Sequence, residues 1–94
     1  MDDIQITQDT RIGRFQAVVE GHACVLDYAL SGGRMVIRHT GVPTAVGGRG
    51  IAARLVRAAM DWARAEGLRV VPQCSYAADF VARHRDYDDI VELA

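Results

Sequence analysis

The spacing of apolar residues changes from a strand period to a helix period at Gly50, and that change limits the possible folds more than any other feature. Before residue 40 the apolar positions come in short runs with the alternation of strands. Residues 4–7 alternate, Asp9 and Thr10 form a polar break, and residues 14–20 resume the pattern. Glu20, Gly21 and His22 read as a tight turn before the apolar run 23–30, and Ser31, Gly32 and Gly33 turn the chain into residues 34–40. Strands joined so closely are antiparallel neighbours, because parallel pairing needs a long crossover. From Gly50 the apolar residues fall at Ile51, Leu55, Ala58, Ala59 and Trp62, with Arg54, Arg57, Asp61 and Arg64 between them. That is the spacing of a helix with one apolar stripe. Glu66 and Gly67 end it, since glycine readily takes the left-handed cap conformation. Residues 68–72 then read as a short buried strand closed by Pro72. Strand, helix, strand implies a crossover that sets Val70 and Val71 parallel to the strand carrying His39. A second helix is predicted over residues 76–84, and residues 86–89 read as a polar loop. The expected class is α+β: an antiparallel meander, a helix, a parallel strand and a second helix.

Length and composition narrow the function. With 94 residues, one domain spanning 1–94 is expected, with a core that is feasible but thin. Half the residues are hydrophobic and 24% are charged, the balance of a soluble globular domain. The net charge is −1 and the eleven basic residues are spread along the chain, which argues against a nucleic-acid surface. No apolar run approaches the roughly 20 residues of a membrane span, and the acidic start is not a signal peptide. A cytoplasmic monomer or weak homo-oligomer is expected. Cys24 and Cys74 form no CxxC pair, and His22, His39 and His84 lack the spacing of a metal motif, so no metal site is expected.

The residues between strand and helix, Val46-Gly47-Gly48-Arg49-Gly50-Ile51-Ala52, point to a ligand. A helix start exposes unpaired backbone N–H groups and carries partial positive charge. Glycines let that backbone approach a phosphate closely, and Arg49 offers a charge-assisted contact to a phosphate oxygen. A diphosphate is a natural ligand; a purely structural turn is the alternative. The Walker loop needs Gly-Lys-Ser/Thr after four spacers, and no lysine stands here. The dinucleotide fingerprint needs an initial βαβ unit, and this turn follows a meander.

Three pieces of the sequence resemble the small single-domain GNAT-like N-acetyltransferases of the YjdJ type. They are His39-Thr40-Gly41-Val42-Pro43, Gly48-Arg49-Gly50-Ile51-Ala52 opening a helix, and Val71-Pro72-Gln73-Cys74-Ser75-Tyr76. Leu26-Asp27-Tyr28 upstream and Arg83-His84-Arg85-Asp86-Tyr87 at the close extend the likeness over most of the chain. The resemblance implies a GNAT-like fold in which the parallel strand splays from its neighbour and acetyl-CoA lies in the gap. It also implies acetyl transfer to an amine whose identity the residues leave open. Two positions depart from the family's pattern. Gly47 stands where Arg or Gln is usual, leaving phosphate binding more to backbone amides, and Gly41 stands where an acidic residue is common. A non-catalytic CoA-binding or interaction module is the alternative these departures favour.

Within that frame, Cys74 leaves the buried strand next to the expected thioester. It reads either as an acyl-accepting thiol or as a small packed residue. His39, near the end of the last meander strand, reads as a base or as a structural histidine, since an imidazole ionises near neutrality. Tyr76 is a candidate to protonate the departing thiolate, or a packed or rim tyrosine. Val42 and Pro43 end the strand, and a backbone N–H beside that break is placed to hold the thioester carbonyl, as in GNAT folds generally. The expected cofactor contacts are therefore Val42, Gly47, Gly48, Arg49, Gly50, Ile51 and Ala52, with Arg54 one turn into the helix. His84 and Tyr87 are candidates for the acceptor entrance. Cys24 and Trp62 are expected in the core, and Arg57 and Arg64 on a solvated helix face.

Overall fold

A computed structural model describes residues 4–92. The meander consists of β1 (Thr7–Asp9), β2 (Arg14–Val19), β3 (His22–Ser31) and β4 (Arg34–Gly41). A short 3-10 turn at Thr44–Val46 leads to helix α1 (Ile51–Ala65). Strand β5 (Arg69–Pro72), helix α2 (Ser75–Arg83) and a second 3-10 turn at Arg85–Tyr87 follow. The five strands form one sheet in the order β1-β2-β3-β4-β5. All pairs are antiparallel except β4 with β5, which pair in parallel from Arg34↔Arg69 to Ile37↔Pro72. The expected α+β order is present.

Alternation decides the faces. Phe15 and Ala17, Cys24, Leu26 and Tyr28, Met35 and Ile37, and Val70 all point to one side and are buried. Against them α1 sets Ile51, Leu55, Val56, Ala59, Met60 and Ala63, and α2 sets Ala77, Phe80 and Val81, making one contiguous core. Trp62 is half-buried at its edge, 6.1 Å from the Phe15 ring and 5.6 Å from that of Tyr28. Cys24 is fully buried, and burial pushes its thiol pKa up. Both helices lie on this side. On the other face no described element covers the sheet, and Val18 stays 64% exposed.

Three local readings change. The first strand begins at Thr7 rather than Ile4, and it includes Asp9, which was expected in a polar break. Asp9 ends the strand and organises the turn: its carbonyl accepts from Gly13 N–H at 3.0 Å, and its carboxylate from Arg11 N–H at 3.0 Å. Ile4 and Ile6 pack against the core without joining the ladder. The second helix spans Ser75–Arg83, one residue earlier at each end than expected.

The largest change concerns the polar tail. Tyr87 is 1% exposed, not part of a loop, and an acceptor-entrance role for it does not survive that burial. Its hydroxyl donates to Asp61 at 2.5 Å and accepts from Arg57 at 3.0 Å. The Arg57 and Arg64 guanidinium carbons stand 5.4 and 5.1 Å from its ring centre. These arginines therefore clasp an aromatic ring rather than simply face water. Burial, reinforced by the hydrogen bond to Asp61, pushes the Tyr87 hydroxyl up to about 12. His84 is likewise tied down, stacked on Phe80 with centroids 4.0 Å apart and its Nδ1 2.9 Å from the Phe80 carbonyl. Beyond this clasp the chain returns to the sheet. Val91 bridges Val70 in parallel, with Val70 N–H donating to Ile90 and Glu92 N–H to Val70. No helix among the described residues is long and apolar enough to cross a membrane.

Candidate active site

At one end of the sheet β4 outlasts β5. Its ladder with β3 continues to Val25↔Gly41, whereas its ladder with β5 stops at Ile37↔Pro72. Proline supplies no N–H to extend the pairing. Beyond it, Gln73 and Cys74 both donate to the Ile37 carbonyl, at 3.0 and 3.1 Å, and the chain turns away into α2. Residues 38–42 are left without a strand on that edge, so a gap opens between β4 and β5.

The start of α1 faces the same end. Its N-cap is Gly50, at φ 75 and ψ 16, and no side chain caps it. The first intrahelical bond runs from Arg54 N–H to the Gly50 carbonyl at 3.1 Å. The amides ahead of it belong to the first turn, which has no helical acceptors of its own. Gly48 also has a positive φ of 75, and a Cβ built on Gly48 or Gly50 meets nothing within 4 Å. Glycine is thus required here by backbone angle, while the space above it is open. A cavity of about 270 Å³ occupies that space. Val42, Val46, Gly47, Gly48, Gly50, Ile51, Ala52 and Tyr76 line it. Six of the eight expected cofactor contacts and one of the three expected catalytic residues therefore share one cavity.

Arg49 points elsewhere. Its guanidinium grips Glu20 in the β2–β3 turn through two hydrogen bonds, 2.7 and 3.2 Å long. The pair holds the Glu20 carboxyl below the usual carboxylate range. Arg54 is exposed on the first turn of α1 and does not line the cavity. Tyr76 is 40% exposed, and its hydroxyl has no hydrogen-bond partner among the described residues.

Cys74 caps α2. Its Sγ accepts from Ala77 N–H at 3.4 Å and lies 3.4 Å from the Thr40 hydroxyl. It does not line the cavity, but it sits two residues before Tyr76, and Thr40 two residues before Val42. The Thr40 contact is one the sequence did not suggest, and a β-bulge explains it. Asp27 pairs with His39 but Tyr28 pairs with Ile37, so Arg38 is an extra residue in β4. The bulge shifts the alternation by one. Thr40 shares a face with buried Leu26 and meets Cys74, whereas His39 turns to the uncovered face beside Asp27.

With this geometry in view, comparison with known proteins identifies the family. The GCN5-related N-acetyl-transferase family matches residues 14–90. The chain belongs to that family. It is 40% identical to Protein NATD1 of Bos taurus over 81 residues, covering 83% of this chain and 72% of that one. Protein NATD1 of Homo sapiens is 37% identical over the same length and the same shares. Among solved structures, a GCN5-like protein from Staphylococcus aureus superposes with a TM-score of 0.78 at 26% identity, covering 100% of this chain and 93% of that chain. The domain is thus a GNAT-like N-acetyltransferase domain, with the mixed sheet and two helices of that fold.

Proposed function

We propose that this chain binds acetyl-CoA at the start of α1 and transfers the acetyl group to a primary amine. The observation that carries the reading is the uncapped glycine start of α1, opening on a cavity that also meets Val42 and Tyr76. Unpaired amides and a helix dipole suit a diphosphate, and no built Cβ at Gly48 or Gly50 obstructs its approach. Acetyl-CoA would be held by the backbone of residues 47–52, and its thioester would lie towards the gap between β4 and β5. There the Val42 N–H polarises the thioester carbonyl.

Cys74 is our candidate acyl acceptor. Its Sγ stands at the N-terminus of α2, accepts from Ala77 N–H and lies 3.4 Å from the Thr40 hydroxyl, on the side of the gap between β4 and β5. Sγ attacks the carbonyl carbon, a new C–S bond forms as the coenzyme C–S bond breaks, and the Cys74 thiol proton passes through water or Tyr76 to the departing sulfur, so the coenzyme leaves as its thiol. Amine attack then releases Cys74. Direct attack by the amine on the coenzyme thioester uses the same site without the cysteine step.

These 94 residues contain no lysine side chain to take up the acetyl group. A mass gain of one acetyl group after incubation with acetyl-CoA, mapped to Cys74 and lost in Cys74→Ala, would establish the cysteine route. Full amine transfer by Cys74→Ala would leave direct attack. A second reading, a CoA-binding module without catalysis, rests on the departures from the family's pattern at Gly47 and Gly41, the latter lacking the carboxylate that is common there. Thermal shift with CoA, alongside release of CoA from acetyl-CoA in the presence of amines, separates the two. Stabilisation without release supports the module; no stabilisation by ligand far above any reasonable Kd removes both.

A further inference from the structure

We infer that the amine acceptor approaches across the uncovered face of the sheet, that His39 takes its proton there, and that Gly41 gives the imidazole the room to do so. The inference rests on the acetyltransferase reading above and supplies its acceptor side.

Three observations converge. The bulge at Arg38 turns His39 away from the helices while keeping it within three residues of Val42. A Cβ built on Gly41 would stand 2.9 Å from His39 Nε2 and 3.6 Å from Cε1, so the ring lies along the strand over Gly41. Its Nε2 is thereby directed towards the end of β4, where the strand loses its β5 partner. Finally, His39 is exposed and no hydrogen bond holds its ring among the described residues. A histidine laid over a glycine at an open strand edge, with no partner of its own, is placed to act on something outside the chain.

An acidic residue at position 41 and this ring position exclude each other, because any side chain there would start inside the space of the imidazole. In this chain the glycine hands that place to His39. Donor and acceptor then meet from opposite sides: the cavity at α1 lies on the helix side of β4, and His39 on the other. The amine nitrogen forms the N–C bond, the C–S bond breaks with its electron pair leaving on sulfur, and the proton from nitrogen passes to Nε2. The charged groups around the ring are Asp27, opposite it in the ladder and bonded to Arg14 at 2.7 Å, and Arg38 beside it in the bulge. β5 carries no ionisable residue after Arg69. His39 is the catalytic residue in this scheme and Gly41 a positioning residue.

The test measures CoA released from acetyl-CoA in the presence of benzylamine, glycinamide or a short peptide with a free N-terminus. His39→Asn should lower kcat about 100-fold, with KM for acetyl-CoA unchanged. Gly41→Ala should lower kcat about 10-fold, because the ring must swing aside. In the His39→Asn background the same Gly41 substitution should cost nothing more. That non-additivity separates positioning from a general weakening of the strand. Melting temperature and CoA binding, followed in every variant, should stay close to wild type. An unchanged rate in His39→Asn, or an equal cost of Gly41→Ala in both backgrounds, overturns the inference while leaving the acetyltransferase reading standing. No amine-dependent release by the unmodified chain with any of the three amines removes both.

Discussion

The two helices of this domain begin in opposite ways. α1 starts on a glycine with a left-handed backbone, no side-chain cap and open space above it. α2 starts on Cys74, whose extended backbone lets its own sulfur accept the Ala77 N–H. One start is capped by its own side chain and the other is not. Helix propensity does not explain the difference, because both helices are amphipathic and pack on the same core. A side-chain cap at residue 50 would serve stability alone. Its absence leaves the first-turn amides of α1 without a side-chain acceptor.

The strongest way to break this contrast is to fill the open start. Gly50→Val should weaken CoA binding by at least about 100-fold, since the branched side chain occupies the phosphate's approach. Stability should fall only by the strain of a left-handed valine, about 1–2 kcal/mol. Isothermal titration and thermal melts read the two separately, and retained binding would move the site elsewhere.

Along the rest of α1 the opposite experiment applies, because Arg57, Asp61 and Arg64 are already engaged with Tyr87. Tyr87 holds its proton up to about 12 through burial and its bond to Asp61, against about 10 in the unfolded chain. The folded state therefore binds this proton more tightly. The stability it contributes is complete below pH 10 and is lost as pH rises through 12, by roughly 2–3 kcal/mol in all. Tyr87→Phe should remove this alkaline step and cost about 1–2 kcal/mol near neutrality, with CoA binding untouched. An alkaline melt series on both proteins checks the sign.

The start of α2 gives a smaller effect. Cys74→Ala should cost no more than about 1 kcal/mol for the lost cap, while Cys74→Ser keeps an acceptor there and should recover part of it. If both variants melt alike, the sulfur is not capping the helix. Smallest of all is the Glu20→Gln change, which loosens Arg49 and should tighten CoA binding about two- to five-fold at low salt, with the gain fading as salt is added. Unaltered affinity would mean that Arg49 plays no part in either state.

What the sequence disclosed follows the same contrast. The period switch at Gly50, the stop at Gly67 and the parallel placement of Val70 come from local patterns with local causes, and each is present in the fold. The lining of Gly47, Gly48, Gly50, Ile51 and Ala52 was legible because glycines and a helix start occupy adjacent positions in the chain. Three features were not legible, each for a tertiary reason. The Arg38 bulge leaves the alternation of residues 34–41 superficially intact, so nothing local signals that Thr40 and His39 exchange faces. The clasp on Tyr87 joins residues 26 positions apart, hidden inside a run that looks like solvated loop. The pull of Glu20 on Arg49 spans 29 positions and takes an arginine that composition alone would assign to phosphate.

The unequal lengths of its two neighbours make β4 an interior strand for its first half and a boundary for its second. Among its amide protons, those that face β3 should exchange slowly along the whole strand, whereas those that face the gap beyond Ile37 should exchange fast, so that a step appears on one side only of a single continuous strand. A guest that lies extended in the gap and brings amides of its own would complete the missing ladder and smooth that step away. The sheet would then owe part of its width to its visitor.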